Sequence, residues 1–200
     1  KAMPVGYEHR RSQLEMAELV EEAFRGKRHL IVEAGTGTGK TLAYLIPAIL
    51  SGRRVVVSTA TKSLQEQLYA KDVPFLQKNF APGLKVAVMK GRANFLCRQK
   101  LHQMDGQPML KGLDEVDWFA QIRDWERLTE TGDRAELNFL PDGAELWTRL
   151  DARRETCTGQ KCQDFQRCFI TAMHQKAADA DLVIVNHHLL CADAAVRQNA

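Results

Sequence analysis

A glycine- and threonine-rich loop at residues 34–41 constrains the fold of this chain more than any other feature. It reads Ala-Gly-Thr-Gly-Thr-Gly-Lys-Thr, with an apolar run before it and a helix-forming run after it. A strand, such a loop and a helix in this order are typical of a phosphate-binding P-loop, because glycines let successive backbone N–H groups turn toward a polyphosphate. The strict pattern has a glycine where this chain has Ala34. The flanking elements favour a P-loop over an ordinary Gly/Thr turn despite that departure.

The positions of the loop predict how a nucleotide is held. Lys40 is expected to bind the β- and γ-phosphates, and the Thr41 hydroxyl is expected to take one position around Mg²⁺. The start of the following helix adds its partial positive charge. The other residues expected around the nucleotide are Ala34, Gly35, Thr36, Gly37, Thr38 and Gly39. No predicted strand ends in an acidic pair, so we expect the acids that complete the magnesium site beyond residue 200.

Apolar runs alternate with helical patterns along much of the chain. Strands are predicted at residues 29–33, 54–58, 84–89 and 182–186. Helices are predicted at residues 12–26 and 40–50, and residues 61–80 are expected to be mostly helical. Strands separated by helices pair in parallel through right-handed crossovers. The predicted fold class is therefore α/β, a parallel sheet lobe of the P-loop NTPase (RecA-like) type.

A long connection separates the third and fourth predicted strands. It contains roughly ninety residues, too many for an ordinary loop, and so it predicts an inserted, mainly helical domain. Helices are expected there around residues 118–125 and 144–150, and residues 170–178 are expected to lead back into the sheet. The predicted domains are residues 1–90 for the first part of the lobe, 91–169 for the insertion and 170–200 for the return to the lobe.

Four cysteines lie in or at the edge of this predicted insertion, namely Cys97, Cys157, Cys162 and Cys168. Clustered cysteines in a chain without a secretory signal more often bind metal than form disulfides. Four thiolates suit either a tetrahedral Zn²⁺ or a four-iron cluster, and the wide one-plus-three spacing favours the cluster. Unligated core thiols are disfavoured by the polar residues around the last three. Cys191 stands apart and is interpreted as structural.

Charge and hydropathy give weaker constraints. The net charge of +3 is too small to prove a polyanionic partner. Residues 84–101 carry no acid, and their basic residues form what we call the basic strip: Lys85, Lys90, Arg92, Arg98 and Lys100. The basic strip is either a solvated face or a surface that contacts phosphates. No membrane span or signal peptide is predicted, which favours a cytoplasmic protein.

Several separate motifs together resemble the XPD/DinG family of superfamily 2 iron–sulfur DNA helicases, and most of all its bacterial DinG-like members of the YoaA type. The motifs are Tyr7-x-x-Arg10-x-x-Gln13, the loop at residues 34–41, Ser58-Thr59-Ala60-Thr61, Lys90-Gly91-Arg92-x-Asn94-Phe95-x-Cys97, the later cysteine triplet and residues 181–190. The resemblance covers nearly the whole chain, and the combination is highly specific.

The resemblance implies an ATP-dependent helicase that moves 5′ to 3′ on single-stranded DNA and separates strands, as a monomer, in DNA repair or replication. It implies that Gln13, with Arg10 beside it, recognises adenine, and that the four clustered cysteines bind a [4Fe-4S] cluster. Thr59 and Thr61 match positions that touch DNA phosphates, and from the basic strip Lys90 and Arg92 are added as DNA contacts. Single-stranded and forked DNA are the expected partners. This chain is expected to be the first lobe of a longer protein and inactive alone.

Two other classes of function stay open at this point. One is a P-loop ATPase that binds no nucleic acid and carries a zinc-stabilised insertion. The other is a non-enzymatic, redox-responsive module that binds DNA and senses through its cluster. The pair His187 and His188 after the last predicted strand is interpreted as structural.

Overall fold

A computed structural model describes residues 10–107 and 109–198, so Tyr7 of the motif above lies outside the described residues. The chain divides into two compact units. Unit 1 comprises the described parts of Lys1–Val88 and Asp179–Ala200, and unit 2 comprises those of Met89–Ala178.

The helices and strands follow one another in chain order, with several short 3₁₀ turns between them in unit 2. They are α1 (Arg11–Gly26), α2 (Lys40–Leu50), β1 (Val55–Thr59), α3 (Lys62–Gln67), α4 (Val73–Asn79), β2 (Val86–Met89), α5 (Arg98–Gly106), α6 (Gly112–Glu126), α7 (Glu145–Leu150), α8 (Phe169–Ala178), β3 (Leu182–Asn186) and α9 (His187–Gln198).

A small sheet with the strand order β1-β3-β2 forms the centre of unit 1. β1 and β3 run parallel in register, from Val55 opposite Leu182 to Thr59 opposite Asn186. The first four residues of β3 are buried, as expected for a parallel strand covered on both faces. The parallel pairing across a long connection confirms the predicted α/β class for this unit.

The predicted strand at residues 29–33 is wrong. A strand requires a neighbour that completes its ladder of hydrogen bonds, and none of the described strands lies beside this run. Ile31 is 98% exposed and Leu30 is 39% exposed. The run has the apolar composition of a strand, but composition does not supply a pairing partner.

The other predictions of secondary structure are confirmed within two residues at most ends. β3 and α2 have the predicted bounds, whereas β1 and β2 begin one and two residues later than expected. Residues 61–80 are mostly helical, as predicted, with a π-helical segment, Leu68–Asp72, between α3 and α4. Such segments are uncommon and occur often at functional sites.

The core of unit 1 packs helices against the buried strand β3. Its fully buried members are Leu45, Leu68, Val73, Leu76, Leu182 and Ile184. Leu45 belongs to α2, so the helix that follows the glycine-rich loop is fixed to the sheet by its apolar face. Helix α1 in turn packs on α2.

Unit 2 has a core of its own, built from α5 to α8 and the loops between them. Its buried residues include Phe95, Leu101, Phe119, Ile122, Leu146, Leu150 and Phe169. Two isolated antiparallel bridges, Phe95 with Asp133 and Leu96 with Asp151, fasten the start of the unit to later loops. The two helices expected within the insertion are present as α6 and α7. The helix expected to lead back into the sheet is present as α8, and it belongs to unit 2.

Candidate functional site

The predicted phosphate loop connects residues 29–33 to α2. Two of its glycines, Gly37 and Gly39, have φ angles of 77° and 79°, in the left-handed region that residues with a Cβ avoid. A Cβ added at Gly39 would also collide with the side chain of Gln13. Position 39 therefore requires glycine for two independent reasons.

The ammonium of Lys40 lies against the loop at the start of α2. Its Nζ donates to the carbonyl oxygens of Ala34 at 2.7 Å and Gly35 at 2.6 Å. The Thr38 hydroxyl also donates to the Gly35 carbonyl, at 2.9 Å, whereas Thr36 is exposed. Helix α2 has no side-chain cap, so the N–H groups of its first turn can bind an anion. A positive charge and free N–H groups thus lie together at one helix end.

Two polar side chains from the beginning of α1 contact the same loop. Arg10 donates through Nη1 to the carbonyl oxygen of Gly37. Gln13 donates through Nε2 to the carbonyl oxygen of Gly39 at 3.0 Å, and it is only 9% exposed. The structure therefore brings both residues predicted for adenine recognition to the phosphate loop, while the adenine contact itself stays a prediction.

A pocket of about 300 Å³ lies beside Thr41, where β1 and β3 end. Its polar lining residues are Thr41, Tyr44, Ser58, Thr59, Gln67, Asp72 and His187. The Thr41 hydroxyl hydrogen-bonds the phenol of Tyr44. Ser58 Oγ lies 2.6 Å from His187 Nδ1, which links the end of β1 to the start of α9. His187 thus has a structural contact, as the sequence predicted.

One carboxylate oxygen in this pocket stands out. Asp72 Oδ2 is buried, and no described residue forms a hydrogen bond with it. Burial raises the pKa of Asp72, and the nearby charge of Lys71 opposes that rise. Burial is also the largest cause of the raised pKa of Tyr44, which the Thr41 hydrogen bond opposes.

Sequence reasoning missed both Tyr44 and Asp72. Tyr44 follows Thr41 by three positions on α2, a spacing that places two side chains on the same helix face. That signal could have identified Tyr44 beside the magnesium position. Asp72 carries no comparable signal, because its place depends on the π-helical segment that ends at this residue.

Thr59 and Thr61 lie at and just after the end of β1. Thr59 is 7% exposed, and its hydroxyl donates to the Thr61 carbonyl at 3.2 Å. The Thr61 side chain caps α3 by accepting from the N–H of Leu64 at 3.2 Å. Both threonines therefore shape this turn, and their predicted contact with DNA stays a prediction.

In unit 2, the two predicted DNA contacts from the basic strip each have an internal partner. Lys90 forms an ion pair with Asp133 at 2.6 Å, and the two side chains are 14% and 16% exposed. Arg92 donates through Nε to the Ala152 carbonyl at 2.8 Å. The structure therefore gives both residues a role in holding unit 2 together, and their DNA contact stays a prediction.

Two further members of the basic strip are similarly engaged. Arg98 pairs with Glu126 at 2.7 Å and lies over the Phe169 ring, 4.2 Å from its centroid. Lys100 lies 3.7 Å from the buried carboxylate of Asp151. The basic residues of this acid-free segment therefore pair with acidic residues that lie elsewhere in unit 2. The sequence could not reveal these pairs.

The four clustered cysteines line one cavity of about 460 Å³ in unit 2. Cys97 directly precedes α5. Each of the other three directly follows a single 3₁₀ turn: Arg154–Thr156, Gly159–Lys161 and Phe165–Arg167. Turns of equal length thus present Cys157, Cys162 and Cys168 in the same local way, and the fold brings them to Cys97.

The four thiols do not share one electrostatic environment. Burial raises the pKa of Cys97; Lys100 opposes this effect, and the charges of Cys162 and Cys168 add to it. A hydrogen bond from the backbone of Gly159 lowers the pKa of Cys157, and Arg92 lowers it further.

The described residues contain no group of three or more His, Cys, Asp or Glu side chains arranged to hold a metal ion. Cys191, the remaining cysteine, is exposed on α9. No described helix has both the length and the apolar character needed to cross a bilayer.

Known proteins are similar to this chain over nearly its whole length. ATP-dependent DNA helicase YoaA of Haemophilus influenzae is 40% identical over 194 residues, which cover 97% of this chain and 30% of that protein. YoaA of Escherichia coli is 38% identical over 202 residues, covering 100% of this chain and 31% of that protein. ATP-dependent helicase DinG of Mycobacterium tuberculosis is 39% identical over 213 residues, which cover 95% of this chain and 32% of that protein.

This chain thus spans about a third of the length of these curated relatives. The family profile of the DEAD/DEAH box helicases matches residues 11–110, a range that includes α1, the phosphate loop and β1. This chain belongs to the DEAD/DEAH box helicase family, and its relatives include the helicases named YoaA and DinG.

Proposed function

We propose that this chain is the nucleotide-binding lobe of an ATP-dependent DNA helicase that moves 5′ to 3′ along single-stranded DNA and separates the strands of forked DNA. The observation that carries the proposal is the position of Lys40, whose ammonium lies at the uncapped start of α2 against a loop of left-handed glycines. The similarity to proteins named ATP-dependent helicases supports the same activity.

The chemistry of the loop follows from its charges. On ATP binding, Lys40 exchanges the carbonyl oxygens of Ala34 and Gly35 for phosphate oxygens, which carry full negative charge and therefore bind an ammonium more strongly. Mg²⁺, held in part by the Thr41 hydroxyl, supplies further charge neutralisation during phosphoryl transfer. Arg10 and Gln13 contact the loop, and we expect them to contact the adenine base.

The cysteine cavity extends the proposal to a [4Fe-4S] cluster. Four thiols are the number of protein ligands that such a cluster requires, and Cys97, Cys157, Cys162 and Cys168 all line the cavity. A volume of about 460 Å³ exceeds what one Zn²⁺ needs when its four sulfurs lie about 2.3 Å away. Bound there, the cluster would link the start of unit 2 to its last turns.

DNA contact is proposed for the turn that ends β1, through Thr59 and Thr61. Parallel strands place functional loops at their carboxyl ends, and these threonines lie at that edge. Lys90 and Arg92 stay in the proposal as DNA contacts from unit 2, although each must then bind phosphate while keeping or replacing its internal partner.

The test is nucleotide and DNA binding by the 200-residue chain, followed by hydrolysis in the longer protein that contains it. ATP binding should be weak, and Lys40→Ala should abolish it, whereas Lys62→Ala at the exposed start of α3 should not. DNA should stimulate hydrolysis by the longer protein. Binding that is equal in Lys40→Ala and the unmodified chain would overturn the assignment of the loop.

A further inference from the structure

Asp72 has a buried carboxylate oxygen without a donor, in a pocket that it shares with the proposed magnesium ligand Thr41. A buried acceptor without a partner costs free energy, on the order of 1–3 kcal/mol, and native structures rarely keep one without a reason. The question is therefore which group donates a hydrogen bond to Asp72 Oδ2.

The polar side chains around Asp72 offer two possible donors, Gln67 and Tyr44. Ser58 already bonds His187, and the Thr59 hydroxyl donates to Thr61. Gln67 is exposed, whereas Tyr44 is half-buried and bonds the proposed metal ligand. The Tyr44 oxygen accepts a hydrogen bond from Thr41, since that bond favours the ionised phenol. Its own O–H proton is free to rotate. Tyr44 and Asp72 line the same pocket, and the charge of Asp72 helps to raise the pKa of Tyr44.

We propose that Asp72 is a positioning residue for the magnesium ligand. When the metal binds, a chain of hydrogen bonds runs from the Thr41 hydroxyl through the Tyr44 phenol to Asp72 Oδ2, and it directs a lone pair of the Thr41 oxygen toward Mg²⁺. The inference rests on the proposed function, because it takes Thr41 as a ligand of Mg²⁺.

Each hydrogen bond in this proposed series has one donor and one acceptor. Thr41 has one proton, which it donates to the Tyr44 oxygen, and Tyr44 has one proton, which it donates to the carboxylate. Asp72 Oδ2 gains the donor that it lacks in this structure through a change in the side-chain torsion of Asp72, whose last torsion is broad. A hydroxyl whose proton is fixed in this way presents its remaining lone pairs in defined directions.

The proposal predicts a change in Mg²⁺ affinity when Tyr44 or Asp72 is replaced. Groups that orient a ligand without touching the metal typically change metal affinity 10- to 100-fold when they are removed. We therefore expect Tyr44→Phe to raise the Mg²⁺ concentration needed for half-maximal nucleotide binding about tenfold. Asp72→Asn should produce a several-fold rise, because a neutral amide oxygen accepts more weakly than a carboxylate.

The experiment titrates Mg²⁺ into the unmodified chain and its variants in the presence of a fluorescent ATP analogue, and repeats the binding in excess chelator. Tyr69→Phe is the matched control, since Tyr69 belongs to the same π-helical segment and is 51% exposed. The inference is supported if Tyr44→Phe and Asp72→Asn need more Mg²⁺ while their metal-free nucleotide affinity and the Tyr69→Phe control stay unchanged.

Two results would overturn the inference while leaving the proposed function intact. One is an unchanged Mg²⁺ requirement in both variants. The other is an equal loss of nucleotide affinity with and without Mg²⁺, which would show that Tyr44 and Asp72 matter only for packing. By contrast, if the unmodified chain binds no nucleotide at any Mg²⁺ concentration, the proposed function fails together with the inference.

Discussion

Arg149 donates from Nη2 to both carboxylate oxygens of Glu115, each at 2.6 Å, and so joins α7 to α6. The backbone N–H of Lys111 donates to the same carboxylate at 2.6 Å. The Glu115 side chain is only 9% exposed. These contacts hold the pKa of Glu115 below its ordinary value, and the Arg149 hydrogen bond is the largest cause. The pair is therefore a stabilising contact of unit 2 that depends on ionisation.

We expect Glu115→Gln to lower the free energy of unfolding of unit 2 by about 2 kcal/mol at neutral pH, since it removes hydrogen bonds between charged groups. The folded pKa is lowered, so the contribution of Glu115 is fully present above the ordinary value of 4.5 and is lost as the pH falls through the folded pKa. Urea unfolding at a series of pH values measures the difference between variant and unmodified chain, which should shrink in acid.

Glu145→Gln is the control for this prediction. Glu145 pairs with Lys111 at 2.7 Å, but its side chain is 71% exposed, so water screens the pair and its loss should change stability little. An equal effect of both substitutions, or a difference for Glu115→Gln that persists unchanged in acid, would contradict the role assigned to ionised Glu115.

Gly39→Ala should impair the phosphate loop. Its φ of 79° costs a residue with a Cβ about 1–2 kcal/mol, and the new methyl group meets Gln13. We expect weaker nucleotide binding and a lower melting temperature, measured by titration and calorimetry. Gly83→Ala is the matched control, because a Cβ there has open space; if both variants behave alike, the geometry of position 39 is not what matters.

The cysteine cavity predicts iron in the protein. Purified without oxygen, the chain should be brown and contain iron and acid-labile sulfide. Cys162→Ser should lose the colour and increase the protease sensitivity of unit 2, because the link from Cys97 to the last turns is broken. Cys191→Ser, on exposed α9, should keep the colour. A colourless protein with one zinc ion per chain would show that the cluster assignment is wrong.

The sequence predicted where helices and strands lie better than it predicted which strands pair with one another. The first four residues of β3 are apolar, so its burial and bounds could be predicted, as could the loop and helix around Lys40. Residues 30–32 are apolar as well, yet no described strand pairs with residues 29–33. Pairing depends on residues distant in the chain, which local patterns do not identify.

The same limit applies to the candidate sites. Cysteine spacing predicted that four thiols come together, because four thiolates can serve as the ligands of one metal site. Charge spacing did not predict the partners of the basic strip: Asp133 follows Lys90 by 43 residues, and only the folded loops bring them together. Asp72 was missed for a related reason, since the π-helical segment sets its direction and has no sequence signature of comparable strength.

The last prediction concerns whether Lys90 stabilises unit 2 or contacts DNA. Removing its charge leaves Asp133 half-buried without its ion-pair partner, and breaking such a pair costs about 3 kcal/mol. We therefore expect Lys90→Met to lower the free energy of unfolding by about that amount, measured in urea. Lys90→Met/Asp133→Asn should be more stable than Lys90→Met alone, because the double variant leaves no uncompensated charge.

DNA binding by the same variants separates the two roles of Lys90. A residue that contacts a phosphate of single-stranded DNA contributes roughly 0.7 to the slope of log affinity against log salt concentration. If Lys90 contacts DNA, the slope should fall by about that amount in the double variant, whose folding is restored. Lys111→Met is the control, because Lys111 is 72% exposed and pairs only at the surface with Glu145. An unchanged slope in the double variant would assign Lys90 to the stability of unit 2 alone and place the DNA contact on other residues.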